Sequence, residues 1–396
     1  MRVPTLQTAR SQLEILSQRQ AQQARLQEQV SSGLRILTPS DDPVAAAQAE
    51  AARSRLARVA QDQRDVQLAT GVLSAADGAL GQGLDLLQSA REALVAAGNG
   101  GYSASDRQAL ALRLRAVRDE LVGLANTPDG AGGFVFAGQG ASEAPFGAGG
   151  TSYSGDPGTQ RIGALGRFAA TVDGRAAFMQ LPQGNGVFVT ASATGNTGSG
   201  WIDAGSVSAP AQLTGHAYEI VVGGSAAAPT YSVTDTGTGA TMAGGPFAAG
   251  SAIDVQGQRV TISGTPAQGD RFTLAPADQR RSVFDTLGDA IGLLEDEGLA
   301  PGAYAEGLER AQTGLDRGLD ALSLARTRTG EELRRVQDGD AAAQQQEIDA
   351  TARRSDLQDV DLARAISQLQ SGQTGIDAAL KTYAALARKS LFDLLS

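Results

Sequence analysis

The side chains able to do chemistry are few in this 396-residue chain, and they are poorly placed for it. There is one histidine, His216, and no cysteine, which removes thiolate nucleophiles, thiolate metal ligands and disulfides together. A catalytic triad on His216 would need distant partners that no spacing identifies, so it reads as a residue of a β surface or turn. Carboxylates cluster at three places. Asp41-Asp42 precedes Pro43 and suits a helix start. Glu295-Asp296-Glu297 suits a solvated helix end. Asp338-Gly339-Asp340 lacks the spaced ligands of a calcium loop and reads as a break in a long helix. Gly-x-Gly pairs at 138/140, 184/186, 198/200 and 237/239 lack the third glycine of a dinucleotide loop. No Gly-Lys dipeptide offers a phosphate loop, and no serine sits in a Gly-x-Ser-x-Gly elbow. The sequence predicts no catalytic residue, no metal and no cofactor, and a protein that is not an enzyme.

The net charge of -10 excludes a nucleic-acid footprint, which needs lysine and arginine clustered on one face. Only Lys381 and Lys389 are lysines, a bias we assign to coding and not to function. The first twenty residues lack the continuous apolar segment of a cleavable signal, and no run approaches the length of a membrane span. A dedicated export machine that reads an uncleaved end leaves the same blank.

With function absent from single residues, the elements carry the information. Of the 141 residues from Val135 to Ala275, 13 are charged, against 63 of the other 255. The same block holds 27 of the 50 glycines and, from Phe134 on, 12 of the 17 aromatics. It therefore predicts β structure between helical flanks, an α+β chain. Strand-like runs are Phe168–Val172, Gly186–Thr190, Tyr218–Val222, Thr230–Thr234, Ala252–Gln256 and Arg259–Ser263. Asp173-Gly174 reads as a turn. The Thr-Gly-Asn-Thr-Gly-Ser-Gly run from Thr194 reads as a linker, so two lobes divided around 195–210 are expected.

In the flanks, a first helix over Thr5–Val30 should stop at Ser31-Ser32-Gly33, where glycine supplies the left-handed position. Ser40-Asp41-Asp42-Pro43 then opens a long helix. Val59, Val66, Leu73, Leu80, Leu87 and Leu94 repeat in it every seven residues. After Gly98–Gly101, Ser105 and Gln108 suggest a capping box for a third helix ending near Asn126. Beyond Pro276, Val283, Leu287, Ile291 and Leu294 form a short stripe. Leu308, Leu315, Leu322, Thr329, Val336, Ala343 and Ala350 form a long one. Short connections between such helices predict antiparallel neighbours.

The chain ends carry stripes of their own. Leu6, Leu13, Leu16 and Val30 mark the first, with Gln20, Gln23 and Gln27 interposed. Leu362, Ile366, Leu369, Ile376, Leu380, Tyr383 and Leu394, with Leu391 beside them, mark the last, interrupted by Gln373. Alternating spacings of four and three are those of a helix made for helical partners. Polar interruptions lower stability and select register, so these residues are expected to form an assembly interface. The expected organisation pairs 1–40 with 356–396 as assembly helices. Residues 41–134 and 276–355 form two halves of a helical rod, and 135–275 a β-rich outer domain. The ends pair and the middle projects sideways.

Particular runs resemble the flagellin superfamily, and within it the hook–filament junction family. They are Ser31, Ser32, Gly33, Leu34, Arg35 and Ile36, then Pro39-Ser-Asp41-Asp42-Pro43. Asn126-Thr127 with Gly133–Gly138, Tyr153–Asp156, Val260–Phe272, Asp361–Ile366 and Ser390–Leu395 add to it. The resemblance covers about residues 1–140 and 215–396. It implies an extracellular axial protein of the bacterial flagellum, required for motility and exported unfolded by the type III apparatus with a chaperone, without signal cleavage. Implied neighbours are the first hook-associated protein, flagellin and a ring of identical subunits, with no nucleic acid and no membrane. It also implies an inner coiled coil of the terminal helices. The alternatives are flagellin itself and, in another class, a cytoplasmic coiled-coil adaptor.

Overall fold

The computed structural model describes residues 3–138, 143–156, 158, 160–162, 166–168 and 171–395. Seven α-helices run in the order α1 (Val3–Ser32), α2 (Pro43–Ala97), α3 (Ala104–Ala125), α4 (Gly174–Phe178), α5 (Val283–Glu295), α6 (Pro301–Gln358) and α7 (Leu362–Leu395). Among the described residues thirteen strands lie between α3 and α5, which gives the expected α+β organisation. The chain divides into two compact units, residues 1–64 with 340–396 and residues 65–339. Both α2 and α6 contribute residues to each.

Helix ends follow local chemistry. Gly33 has φ +73°, ending α1 in the left-handed conformation that side chains resist. Asp42 Oδ1 accepts from the Ala45 amide at 3.0 Å, capping α2 one residue before Pro43. At α3 the capping box belongs to Ser103 and Asp106, not to Ser105 and Gln108. Asp106 is the nearer carboxylate and closes both bonds. Asp173 caps the five-residue α4, so Asp173-Gly174 starts a helix where a turn was expected.

The heptad positions of both long helices are buried: Val59, Val66, Leu73, Leu80, Leu87 and Leu94 in α2, and Leu308 through Ala350 in α6. The helices run antiparallel. Within residues 65–339, Arg91 pairs with Asp316 at 2.6 Å and Arg326 with Asp77 at 3.0 Å. Within the other unit, Gln63 donates to Glu347 and Arg53 to Gln358. Asp338-Gly339-Asp340 does not interrupt α6. A helical glycine costs about 1 kcal/mol, and burial of Val336 and Ala343 on either side outweighs that.

Residues 65–339 contain two principal apolar cores. In the first, α2, α3, α5 and α6 enclose Leu80, Leu87, Leu94, Leu114, Leu121 and Leu315. Phe136, Phe146, Phe178 and Phe284 seal its end with ring centroids 5.3–5.9 Å apart. The Asn126 amide holds this segment down, pairing with both backbone groups of Phe146 at 2.9 Å.

The second core lies in the β region. Strands β1 (Gln160–Ile162) and β2 (Gly166–Phe168) form a hairpin. Strand β3 (Leu181–Pro182) pairs far along the chain with β13 (Arg280–Arg281). Between them come β4 (Phe188–Ser192), β5 (Trp201–Ile202), β6 (Ser206–Val207), β7 (Tyr218–Ser225), β8 (Ala228–Asp235), β9 (Thr241–Pro246), β10 (Ala252–Val255), β11 (Gln258–Ser263) and β12 (Arg271–Pro276). One antiparallel sheet has the order β4-β12-β7-β8-β9; in the other, β11 pairs with β10 on one edge and with β5 and β6 on the other. The two sheets share Phe188, Ile202, Tyr218, Ile220, Val260 and Phe272.

The stretch read as a linker around 195–210 instead supplies β5 and β6. Its glycines are ordered by the buried Asp270 carboxylate, which accepts from the Thr197, Gly198 and Ala267 amides. A Cβ at Gly200 would lie 2.6 Å from Pro266. Of the expected Phe168–Val172 strand, 169–170 lie outside the described residues, and β2 ends at Phe168.

Candidate assembly interface

Chain ends meet at an elbow. Ser32 Oγ turns back onto Glu28 O at 2.7 Å, Ser31 Oγ does the same at 3.0 Å, and Gly33 reverses the chain. Leu34 then bridges Asp359 in antiparallel fashion. The Arg35 amide donates to Gln358 O at 2.7 Å and the Val360 amide to Gly33 O at 2.9 Å. Arg35 adds its guanidinium, donating to Leu357 O at 2.7 Å and lying 3.6 Å from Asp42. Behind it, Asp41 accepts from the Leu37 and Thr38 amides at 3.1 and 2.9 Å. The Thr38 amide foremost holds the Asp41 carboxyl below its ordinary range. The Ser31–Pro43 run is thus a backbone clamp, with no catalytic geometry in it.

From the elbow, α1 and α7 run antiparallel. Gln23 Nε2 donates to Leu369 O at 2.9 Å, and Arg19 lies beside Gly375. On α7 the least exposed of the described side chains are Ala365, Leu369, Gly372, Gly375, Ile376 and Ala379; all but Gly375 follow spacings of four and three. Small residues here let the backbones approach, and a Cβ at Gly372 would fall on Gln23 Oε1. On α1 the matching positions are Leu16, Gln23, Leu26 and Val30.

The predicted stripe therefore splits. Leu16, Val30, Leu369 and Ile376 are half-buried along the α1–α7 seam. Leu13, Leu362, Ile366 and Leu380 stay open, at 49, 49, 43 and 43% exposure. By helical periodicity the open α7 residues lie to one side of the seam. On its other side Arg19, Gln22, Ser367, Gln368 and Ser371 line a polar groove. The side chains of Leu6, Tyr383, Leu391 and Leu394 lie outside the described residues. Sequence reading passed over the Ala365/Gly372/Ala379 stripe because it sought large side chains; small residues at the same four-three spacing were its signal.

Among the described residues nothing elsewhere assembles into a reaction centre. His216 Nδ1 lies 2.6 Å from Asp235 Oδ2 at the start of β7. Asp235 is buried, accepts from the Gly237 and Thr238 amides, and is held below its ordinary range by the His216 contact first. This is a turn clamp. Among the described residues no three His, Cys, Asp or Glu side chains gather as metal ligands, and no helix is long and apolar enough to cross a membrane.

Residues 3–141 match the bacterial flagellin N-terminal helical region. Flagellar hook-associated protein 3 of Salmonella typhimurium is 37% identical over 155 residues, 39% of this chain and 49% of that protein, so the chain spans about half the length of this curated relative. The crystal structure of the flagellar junction protein FlgL from Legionella pneumophila superimposes with a TM-score of 0.68 at 25% identity, over 79% of this chain and all of that one. FlgL of Xanthomonas campestris gives 0.69 at 28% identity, over 78% of this chain and 99% of that one. By sequence the chain is similar to flagellins in its N-terminal helical region, and over most of its length its fold is similar to that of the hook–filament junction proteins.

Proposed function

We propose that this protein is a structural part of the bacterial flagellum, an adaptor between hook and filament that assembles through its paired chain ends. One observation carries the reading. The terminal helices satisfy each other through small residues, yet Leu362, Ile366 and Leu380 remain uncovered beside the seam. A stripe with a helical period and no partner among the described residues suits neighbouring subunits. In this reading residues 1–40 and 356–396 are the assembly helices, 41–134 and 276–355 support them, and 135–275 faces outward. The axial neighbours are the first hook-associated protein and flagellin, and identical subunits close a ring. Export proceeds unfolded through the type III apparatus with a chaperone, and the protein works outside the cell.

Deleting the gene tests this. The expected result is hooks without filaments, with flagellin lost to the medium and motility restored by the intact gene. Filaments on the mutant's hooks would overturn the reading. Purified protein should remain monomeric or add only a short layer to isolated hooks; self-assembly into long filaments would mark it as flagellin.

A further inference from the structure

The attachment of the β sandwich to the helices is unlike the rest of residues 65–339. The helical core and the sandwich core are separate among the described residues, and no buried apolar side chain belongs to both. Two chain segments join them, Gln183–Val187 on the way in and Ala277–Gln279 on the way out, side by side above the short β3–β13 ribbon. The entering segment turns through Gly184 at φ +55° and Gly186 at φ +91°. Next to this ribbon a cleft of about 560 Å³ opens toward α5 and α6, between Leu181, Pro182 and Arg281 on one side and Asp289, Leu293 and Arg310 on the other. Two adjacent connections with open space beside them make a pivot.

What closes the pivot is polar. On α6, Glu306 accepts from the Ser192 amide at 3.1 Å and from Ser192 Oγ, and it pairs with Arg310. One turn on, Glu309 accepts from the Ala204 amide at 3.1 Å. Arg317 donates to Asn185 O at 2.8 Å. At the top of the seam a Cβ on Gly302 would lie 2.6 Å from Ser199 O. A void of about 20 Å³ remains between Val189, Ile202, Glu306 and Glu309.

We infer that Glu306 and Glu309 form a clasp that holds the β sandwich against α6 about the β3–β13 pivot, and that a proton on Glu309 strengthens its grip. The charged groups facing Glu309 are Asp203 from the β5–β6 loop and Glu306 and Arg310 from its own helix, so two of the three are carboxylates. Burial foremost raises Glu309 above its ordinary value of 4.5; the Ala204 amide opposes it, and Asp203 and Glu306 add to it. The sign follows. Opening the clasp returns Glu309 to water and its ordinary value, so the closed form binds the proton more tightly. Closure is therefore favoured as pH falls through the raised value, and the gain is complete below the ordinary one. At neutral pH the ionised, crowded carboxylate weakens the clasp.

The cysteine-free chain takes spin labels cleanly. Labels at Glu120→Cys on α3 and Ala226→Cys in the β7–β8 turn report the distance across the seam by double electron–electron resonance. In the intact protein the distance distribution should narrow as pH falls from about 8 to about 4, below the ordinary carboxylate value. Glu309→Gln, which keeps an acceptor for Ala204 and loses the charge, should be narrow at both. Glu306→Ala with Glu309→Ala should be broad at both, with circular dichroism confirming the fold. A single distribution unchanged by pH and by either variant would overturn the clasp.

Discussion

Gly372 lets α7 approach α1 because it has no Cβ; any larger side chain would displace Gln23. Gly372→Leu should therefore push the Gln23 side chain aside and break its bond to Leu369 O, at a cost of about 1 kcal/mol, read as faster hydrogen exchange of the α1 amides. Leu380→Ser is its complement. It leaves the seam intact and should impair binding to isolated hooks in a sedimentation assay, with α1 exchange unchanged. If both variants bound hooks normally, the open stripe would not be the contact. At the elbow, Asp42→Ala removes the cap of α2 and should cost about 1 kcal/mol, measured as a lower denaturation midpoint. Asp41 supplies a pH dependence. Its carboxyl lies below the ordinary value of 3.8 because the folded state prefers its charged form. The stabilisation is present at neutral pH and is lost as pH falls through that depressed value. Asp41→Asn should flatten that acid limb of the stability curve.

Among the elements, α7 is 34 residues long, about 50 Å of helix. Removing its last ~30 residues should abolish attachment to hooks while the β-sheet circular dichroism signal remains; a truncated chain that still supports filaments would show that assembly resides elsewhere. The long helices were legible because leucine or valine every seventh residue has one physical meaning, and each of those positions in α2 is buried. Strand β9 was illegible for the opposite reason. Thr-Met-Ala-Gly-Gly-Pro has no apolar alternation and joins the sheet only through pairing with β8. Likewise Thr194–Gly200 carries linker composition, but the buried Asp270 carboxylate, distant in sequence, fixes it. For the same reason the elbow was visible as a motif and invisible as a clamp, since Gln358 and Leu357 receive bonds from Arg35 across more than 300 residues.

For the molecule as a whole, the cores predict where stability resides. Residues 65–339 hold the leucine and phenylalanine clusters, whereas in the other unit the buried positions of α2 and α6 are mostly alanine: Ala45, Ala49, Ala52, Ala343 and Ala350. A fragment spanning 65–339 should fold alone and melt cooperatively. Leu87→Ala should destabilise it by about 2–5 kcal/mol, checked by its thermal midpoint. Loss of structure in the isolated fragment would contradict this division. The elbow bears on time as well as on strength. A contact between residues 322 apart closes nearly the whole chain into a loop, an entropic cost of about 5 kcal/mol for an unstructured chain. That cost falls once the intervening helices and sheets have folded and brought the ends near each other. A polypeptide delivered one end first cannot form the elbow until Gly33–Arg35 and Leu357–Val360 have both emerged. Completion of the clamp therefore requires all but one terminal helix to have been delivered, so a half-delivered subunit has no paired ends to offer its neighbours.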